Sequence, residues 1–168
     1  MTATERLAPA RGATLIDRLH QIGLFCAFQL MKAVWFFTRP NQHGALVLIR
    51  EGDRVLLLRN SYQGLWSLPG GSVEAGEGAA QAAAREIREE IGLRVDPAEL
   101  DRRADITLPF RFRNDRVELF EWRPRALPEI RIDHREVVEL RWFTLDEARR
   151  LDLIPHIAQY LAGVTQSR

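Results

Sequence analysis

The chain has 168 residues, which suits one compact domain with an appended element. Its 46% apolar content places it with globular rather than disordered proteins. A formal net charge of +1 excludes a strong overall field, so any anion or cation binding must come from local charge. Cys26 is the single cysteine, which excludes an internal disulfide and a Cys-based zinc site and suits a reducing cytoplasm.

Residues 1–13 are rich in Thr, Ala and Arg and read as a flexible tail. A helical pattern begins at Thr14 and runs through "GLFCAFQLMKAVWFF", with Pro40 marking its end. Arg18, Gln21, Gln29 and Lys32 fall near one narrow stripe, and the rest is apolar. Such a helix packs on its own domain, on a second copy or on a membrane surface. Gln29 and Lys32 interrupt the run needed for a membrane span, and "WFFTRPN" is a poor signal-peptide cleavage site. Trp35, Phe36 and Phe37 suit a protein interface or a lipid headgroup layer equally. A homodimer through residues 15–37 is the expectation, with peripheral membrane contact as the alternative.

Two β-type runs, 45–49 and 55–59, flank Gly52–Asp53 and predict a hairpin. "SYQGLW" reads as a loop, and "LPGGSVEAGEG" as a glycine-rich one. Residues 79–91 form an Ala-, Glu- and Arg-rich helix stopped by Gly92. A short strand is expected near 93–95, and further strands at 104–108, 117–122 and 138–143. "TLDE" at 144–147 fits a capping box, and 154–161 a last helix. Strands and helices interleave without a regular βαβ rhythm, which predicts a mixed α+β sandwich.

Within the helix at 79–91, Glu86, Glu89 and Glu90 stand at i, i+3 and i+4 and share a face. Like charges at this spacing repel by about 0.2–0.5 kcal/mol per pair. Ala80, Ala83, Ala84, Ile87 and Ile91 cluster beside them and can pack on a sheet. The carboxylates therefore sit at the edge of a buried surface and need compensation. The face is either merely solvated or holds a hard divalent cation, for which magnesium is the natural oxygen-liganded choice. Gly70 and Gly71 permit a backbone close to a ligand, and Glu77 can pair with Arg85.

Gly71, Glu77, Arg85, Glu86, Ile87, Glu89, Glu90, Gly92 and Leu93 fit G-x5-E-x7-R-E-U-x-E-E-x-G-U, with U a bulky aliphatic. A chance match at one start is on the order of one in 10⁹. The segment resembles the Nudix box without departure, and "LWSLPGG" resembles the lead-in common in that family. The resemblance covers residues 44 to about 161 and assigns 41–168 to a Nudix hydrolase domain, with 14–40 as a separate N-terminal helix. It implies an α/β/α sandwich with a mixed sheet, and a pyrophosphohydrolase that cleaves a diphosphate in a nucleoside diphosphate linked to another group. It implies Mg²⁺, or Mn²⁺, on Glu89, Glu90 and the Gly71 carbonyl, with Glu86 as a further ligand or the base. Arg85 and Glu77 would fix the geometry between loop and helix, and Gly92 would end the helix.

Members of the family often add a carboxylate from outside the box. Among Glu118, Glu121, Glu136 and Glu139, Glu136 is the favoured candidate, because it precedes a predicted strand; His134 beside it reads as structural. Arg50, Arg59, Arg111 and Arg113 are candidate phosphate contacts, and Tyr62 and Trp66 can stack on a base or pack on the sheet. Pro109, sixteen residues after Leu93, resembles a spacing of ADP-ribose pyrophosphatases, whereas "WSLPGG" looks more like the branch that cleaves nucleoside triphosphates. A (deoxy)nucleoside triphosphate or related nucleotide is the first reading, and ADP-ribose or a nucleotide sugar the alternative. A non-catalytic nucleotide sensor is the binding-module reading, against which stands the complete set of box carboxylates. An isopentenyl diphosphate isomerase shares the fold but relies on a Cys, and Cys26 lies far from the box. Arginines at 102–116 permit a nucleic-acid end-processing role without requiring it, and no nucleic-acid partner is predicted.

Overall fold

The computed structural model describes residues 14–164 apart from 125, 127 and 128, so the tail at 1–13 lies outside the described residues. Helix α1 (Leu15–Thr38) opens on a capping box between Thr14 and Asp17 and ends at Arg39 in the left-handed conformation. Strands β1 (Asn41–Glu51) and β2 (Arg54–Asn60) follow, then two short strands, β3 (Trp66–Ser67) and β4 (Gly70–Ser72). Helix α2 (Ala79–Ile91) ends on Gly92 at φ 71°. A 3₁₀ turn (Pro97–Glu99) leads to β5 (Asp101–Phe110) and β6 (Arg113–Trp122). Strand β7 (Val137–Thr144) runs into α3 (Leu145–Ala148), capped by Thr144 and Glu147, and α4 (Pro155–Gly163) closes the described chain.

The hairpin is real but brief. Only Arg50↔Val55 and Glu51↔Arg54 pair, after which β1 and β2 splay apart. That splay frees β1 to pair antiparallel with β4 on one side and parallel with β6 on the other. β2 pairs with β3 and β7, and β5 pairs with β6. The result is a mixed sheet with helices on both faces. Ala45, Val47 and Ile49 of β1 pack with Ala83, Ile87 and Ile91 of α2 on one face. Leu46 and Leu48 point the other way, onto Ile157 and Leu161 of α4. Alternation along one strand thus feeds two cores, which explains why residues 45–49 read as a continuous apolar run.

One expectation needs correction. Residues 93–95 are not a strand: Leu93 and Val95 are buried as extended chain against the α2 face, without strand pairing. In helix α1 only Asp17 and Trp35 are buried, and Leu15, Leu19, Ile22, Leu30, Phe36 and Phe37 are exposed. The helix is long and apolar enough, by length and composition, to cross a membrane. Its inner face instead rests on loops of the domain. The Gln21 amide donates to the His134 carbonyl at 2.7 Å, Phe28 packs on Tyr62 with ring centroids 5.1 Å apart, and Arg113 stacks over Trp35 at 4.1 Å.

One glycine fixes how β4 meets β1. Gly70 sits at φ 132°, and a Cβ there would fall 2.2 Å from the Ala45 carbonyl oxygen. Neither backbone can retreat without breaking the β1–β4 ladder. Gly70→Ala is expected to destabilise the fold by roughly 2–4 kcal/mol, measured by urea denaturation with an unchanged m-value.

Candidate active site

The site is built where β4, the N-terminal half of β1, α2 and the turn before β7 meet. Arg85 organises it. Its Nε and Nη2 donate to the two Glu77 oxygens at 3.0 Å each, its Nη1 donates to Glu86 at 2.8 Å, and Nη2 also reaches the Ser72 carbonyl at 3.0 Å. One planar fork therefore ties the glycine-rich loop, β4 and α2 together. The Arg85 bond holds the Glu77 carboxyl below its ordinary range. Gly71 leaves the Glu86 carboxylate the space it occupies, since a Cβ at Gly71 would lie 2.5 Å from the Glu86 carboxyl carbon.

Glu86, Glu89, Glu90 and Glu136 line one cavity of about 630 Å³, beside Gly70, Gly71 and Ser72. Glu90 is buried and accepts from the Gly70 N–H at 2.9 Å. Burial, reinforced by the charges of Glu86 and Glu136, pushes the Glu90 carboxyl up to about 8. Burial also raises Glu86 and Glu136, and Glu89 adds to both. Glu89 stands at the rim, its side chain 53% exposed, 3.5 Å from Arg85 and 3.7 Å from Arg88. Among the described residues no three His, Cys, Asp or Glu side chains form a ready-made metal cluster. Glu86 is turned to Arg85, and Glu90 to the Gly70 N–H, which account for both. The donor set nonetheless fits a hard cation: four carboxylates line one space, and three of the carboxyls are raised partly by neighbouring carboxylate charge.

Of the four candidate carboxylates outside the box, Glu136 alone lines the cavity. Glu136 reaches the cavity from the turn before β7, while the other three candidates are engaged elsewhere. Glu118 pairs with His43 and Arg102, Glu121 with Arg103 and Arg123, and Glu139 with Arg59 and Arg141. Asp133 and Arg135 also line the site, paired with each other at 2.7 Å, and were not among the candidates.

The predicted substrate contacts divide. Tyr62 lines both this cavity and an adjoining one. Arg50 does not reach either: it bonds the Gly52 carbonyl at 2.9 Å and lies 3.5 Å from Glu121. Arg59 is held by Glu139 at 2.7 Å, and Trp66 packs edge-on against Phe143, its ring also capped by Arg59. Arg111 donates to the Gln63 carbonyl at 2.7 Å and lies over the Phe28 and Phe110 rings. Each of these residues is committed to packing. Arg113, Asp115 and His156 line the adjoining cavity, and the last two were missed. Asp115 follows Arg113 by two places on one strand, which is the only local hint of a shared face.

Glu90 generates a sign-defined pH dependence. Its carboxyl is raised from 4.5 to about 8, so between those values the folded chain holds a proton that the unfolded chain releases. Its contribution to stability is therefore lost as pH rises across that window. In EDTA, the melting temperature of the wild type is expected to fall relative to Glu90→Gln from pH 5 to pH 8, by roughly 5 °C or more. Scanning calorimetry at the two pH values checks it, and equal slopes would remove Glu90 as the buried acid.

A NUDIX domain model matches residues 40–164. The chain is 32% identical over 125 residues to an NAD-capped RNA hydrolase, NudC, of Stutzerimonas stutzeri, covering 73% of this chain and 44% of the relative. It is 38% identical over 108 residues to a candidate 8-oxo-dGTP diphosphatase of Mycobacterium tuberculosis, covering 62% of this chain and 71% of that protein. The chain spans less than half the length of the first of these relatives. A MutT Nudix hydrolase structure from Burkholderia pseudomallei superposes with a TM-score of 0.66 at 24% identity, covering 74% of this chain and 98% of that one. The matched model takes in the whole sheet, α2 and the four carboxylates of the cavity and leaves α1 outside, and on that match the chain belongs to the NUDIX domain family.

Proposed function

We propose that the protein hydrolyses a diphosphate bond in a nucleoside diphosphate linked to another group, with a (deoxy)nucleoside triphosphate or related nucleotide as substrate and Mg²⁺, or Mn²⁺, as cofactor. The observation that carries this reading is the cavity with four carboxylates, closed on one side by Gly70, Gly71 and Ser72. Glu86, Glu89, Glu90 and Glu136, with the Gly71 carbonyl, are the proposed cation holders. A bound divalent cation supplies charge neutralisation at the phosphates and acidifies water. The residues do the rest. Glu86 or Glu89 takes the proton of the attacking water, Arg85 holds Glu86 in place, and Tyr62 borders the space that the nucleotide fills.

Free nucleic acid is not the proposed partner. The arginines of β5 and β6 are neutralised locally: Arg102 by Glu118 and Asp105, Arg103 by Glu121, Arg113 by Asp115 and Arg116 by Asp105. We place the protein in the cytoplasm, consistent with its single, exposed and unpaired Cys26.

The exposed stripe of α1 is proposed to bind a second copy. Leu15, Leu19, Ile22, Cys26, Leu30, Ala33 and Phe37 recur at steps of 4, 3, 4, 4, 3 and 4, two copies of an 11-residue repeat on one side of the helix. Cys26 is the midpoint. An antiparallel pair would set it against its own copy while keeping Arg18 away from the partner's Arg18 and near position 34. Two cations at the rim, Arg18 and Lys32, are few for holding an anionic membrane.

Two measurements test these proposals. In a hydrolysis panel of nucleoside triphosphates, ADP-ribose, nucleotide sugars and NAD-capped RNA, triphosphates are expected to be cleaved only with divalent metal. Glu89→Gln should lose on the order of 10²-fold or more in kcat with an unchanged melting temperature. Preference for ADP-ribose or a sugar would transfer the assignment to that alternative, and nucleotide binding without turnover would make the protein a sensor. For the dimer, sedimentation at micromolar concentration should give twice the chain mass, and a short bismaleimide should join Cys26 to Cys26. A monomer that co-sediments with anionic vesicles would replace the second copy by a membrane surface.

A further inference from the structure

Helix α1 lies outside the matched domain, yet one side of it borders the site. His20, Leu24, Phe28, Met31 and Trp35 recur at steps of 4, 4, 3 and 4, so they share one side of the helix. Phe28, Met31 and Trp35 roof a second cavity of about 490 Å³, which adjoins the carboxylate space along Gly70, Gly71 and Glu136. Leu24 lines both spaces, and His20 lines the carboxylate cavity itself. The helix is held there from two sides. Gln21, next to His20, donates to the His134 carbonyl at 2.7 Å, inside the turn that carries Asp133, Arg135 and Glu136. Two turns further on, the Phe28 ring packs on Tyr62, which lines the same cavity. His20 is exposed, so its ring is open to what enters from solvent. Its proximity is felt at Glu136: burial and the Asp133 charge raise that carboxyl, and Arg135 and His20 oppose the rise.

The cavity is short of cations. Among the described residues, the carboxylates of Glu86, Glu89, Glu90, Asp133 and Glu136 line it against two basic side chains, His20 and Arg135. Arg135 is spent on Asp133. Its Nε lies 3.0 and 3.1 Å from the two carboxylate oxygens, and its Nη2 donates to Oδ2 at 2.7 Å. That leaves His20. A diphosphate brings further negative oxygens into a space whose walls already repel them. A cation held by the glutamates of α2 meets the oxygens turned to that helix. Oxygens turned to α1 meet His20 instead. An imidazole keeps an N–H donor whether it is neutral or protonated, and a bond from it to a charged phosphate oxygen is of the stronger, charge-assisted kind.

We propose that His20 is a phosphate-contacting residue of the active site, whose ring N–H donates to a phosphate oxygen of the bound substrate. The inference rests on the reading that a diphosphate is held among the carboxylates. It adds a side chain that the box does not contain, from a helix that the family domain does not include.

Methylenediphosphonate, a diphosphate whose bridge cannot be hydrolysed, is the probe, because it carries neither base nor sugar and needs no turnover. It is titrated by calorimetry into the intact protein saturated with Mn²⁺, and Mn²⁺ is titrated separately into the metal-free protein. His20→Ala is expected to weaken probe binding by roughly fivefold or more. His20→Gln, which keeps an N–H donor, should bind the probe more tightly than His20→Ala. Mn²⁺ affinity should stay within about twofold, and the melting temperature within about 2 °C, as befits an exposed side chain. Wild-type protein that does not bind the probe overturns the inference, as does equal affinity in wild type and His20→Ala. A matching loss of Mn²⁺ affinity overturns it too, by moving His20 into the metal site. Nucleotide cleavage by His20→Ala at the wild-type kcat/KM would remove this inference and leave the hydrolase reading standing. Probe binding that depends on His20, without cleavage of any nucleotide, would do the reverse.

Discussion

Arg85 is the interaction on which the site's geometry depends. Its guanidinium is shared among Glu77 of the loop, Glu86 of its own helix and the Ser72 carbonyl of β4. It acts beside the Gly70 N–H bond to Glu90, which also joins β4 to α2, and it alone ties the exposed part of the loop, at Glu77, to both. The fork's planarity sets direction as well as distance. With the loop pinned, Gly70 can press on β1 and Gly71 can admit the Glu86 carboxylate, so α2 approaches the sheet closely at its glutamate-bearing end. The apolar face of α2, through Ala82, Ala83, Ile87 and Ile91, fixes the rest of its position. The carboxylates then have only one place to go, which is the edge between the packed face and solvent.

That placement explains the electrostatics. The three raised carboxyls owe their shift first to burial and then to neighbouring carboxylates: Glu86 and Glu136 act on Glu90, Glu89 and Glu136 on Glu86, and Asp133 and Glu89 on Glu136. Glu90 is the extreme, sitting beneath β4 with the Gly70 N–H and the Asn60 side chain as partners. Its carboxyl, raised to about 8, favours the protonated form at neutral pH, and on the proposed reading a cation would have to displace that proton to recruit it, exchanging affinity for proton release.

What the sequence could reveal follows from contact range. The box was legible because its partners lie within one loop and one helix: Glu77 and Arg85 are eight residues apart, and Gly71 meets Glu86 across the same turn. Caps were legible for the same reason, as Gly92 and the Thr144–Glu147 pair show. β3 and β4 were not, since two- and three-residue strands exist only through pairing with β2 and β1. The misplaced arginines fail by the same rule. Arg50 and Arg59 find acids 71 and 80 residues away, which no local pattern displays. Asp115 and His156 are 41 residues apart and meet only because α4 packs beneath β6.

Helix α1 shows the limit of an apolar pattern most clearly. Its sequence is apolar almost all round, and the structure divides that surface between two different uses. The inner side, with Phe28 and Trp35, completes a cavity wall that the sheet leaves open, while the outer side faces away from the domain. The roof is fixed to the floor by a few side-chain contacts, chiefly Gln21 on the His134 carbonyl and the rings stacked around Arg111, Arg113 and Tyr62. Such a support leaves the helix free to settle according to what covers its outer face. Leu24 lines both the carboxylate cavity and the roofed one, so a shift of α1 changes the walls of both. Burying the outer stripe against a second copy removes apolar area from water and restrains the same backbone that carries Trp35. The proposed second copy would therefore cover the side of the helix opposite the cavity wall, about 10 Å away.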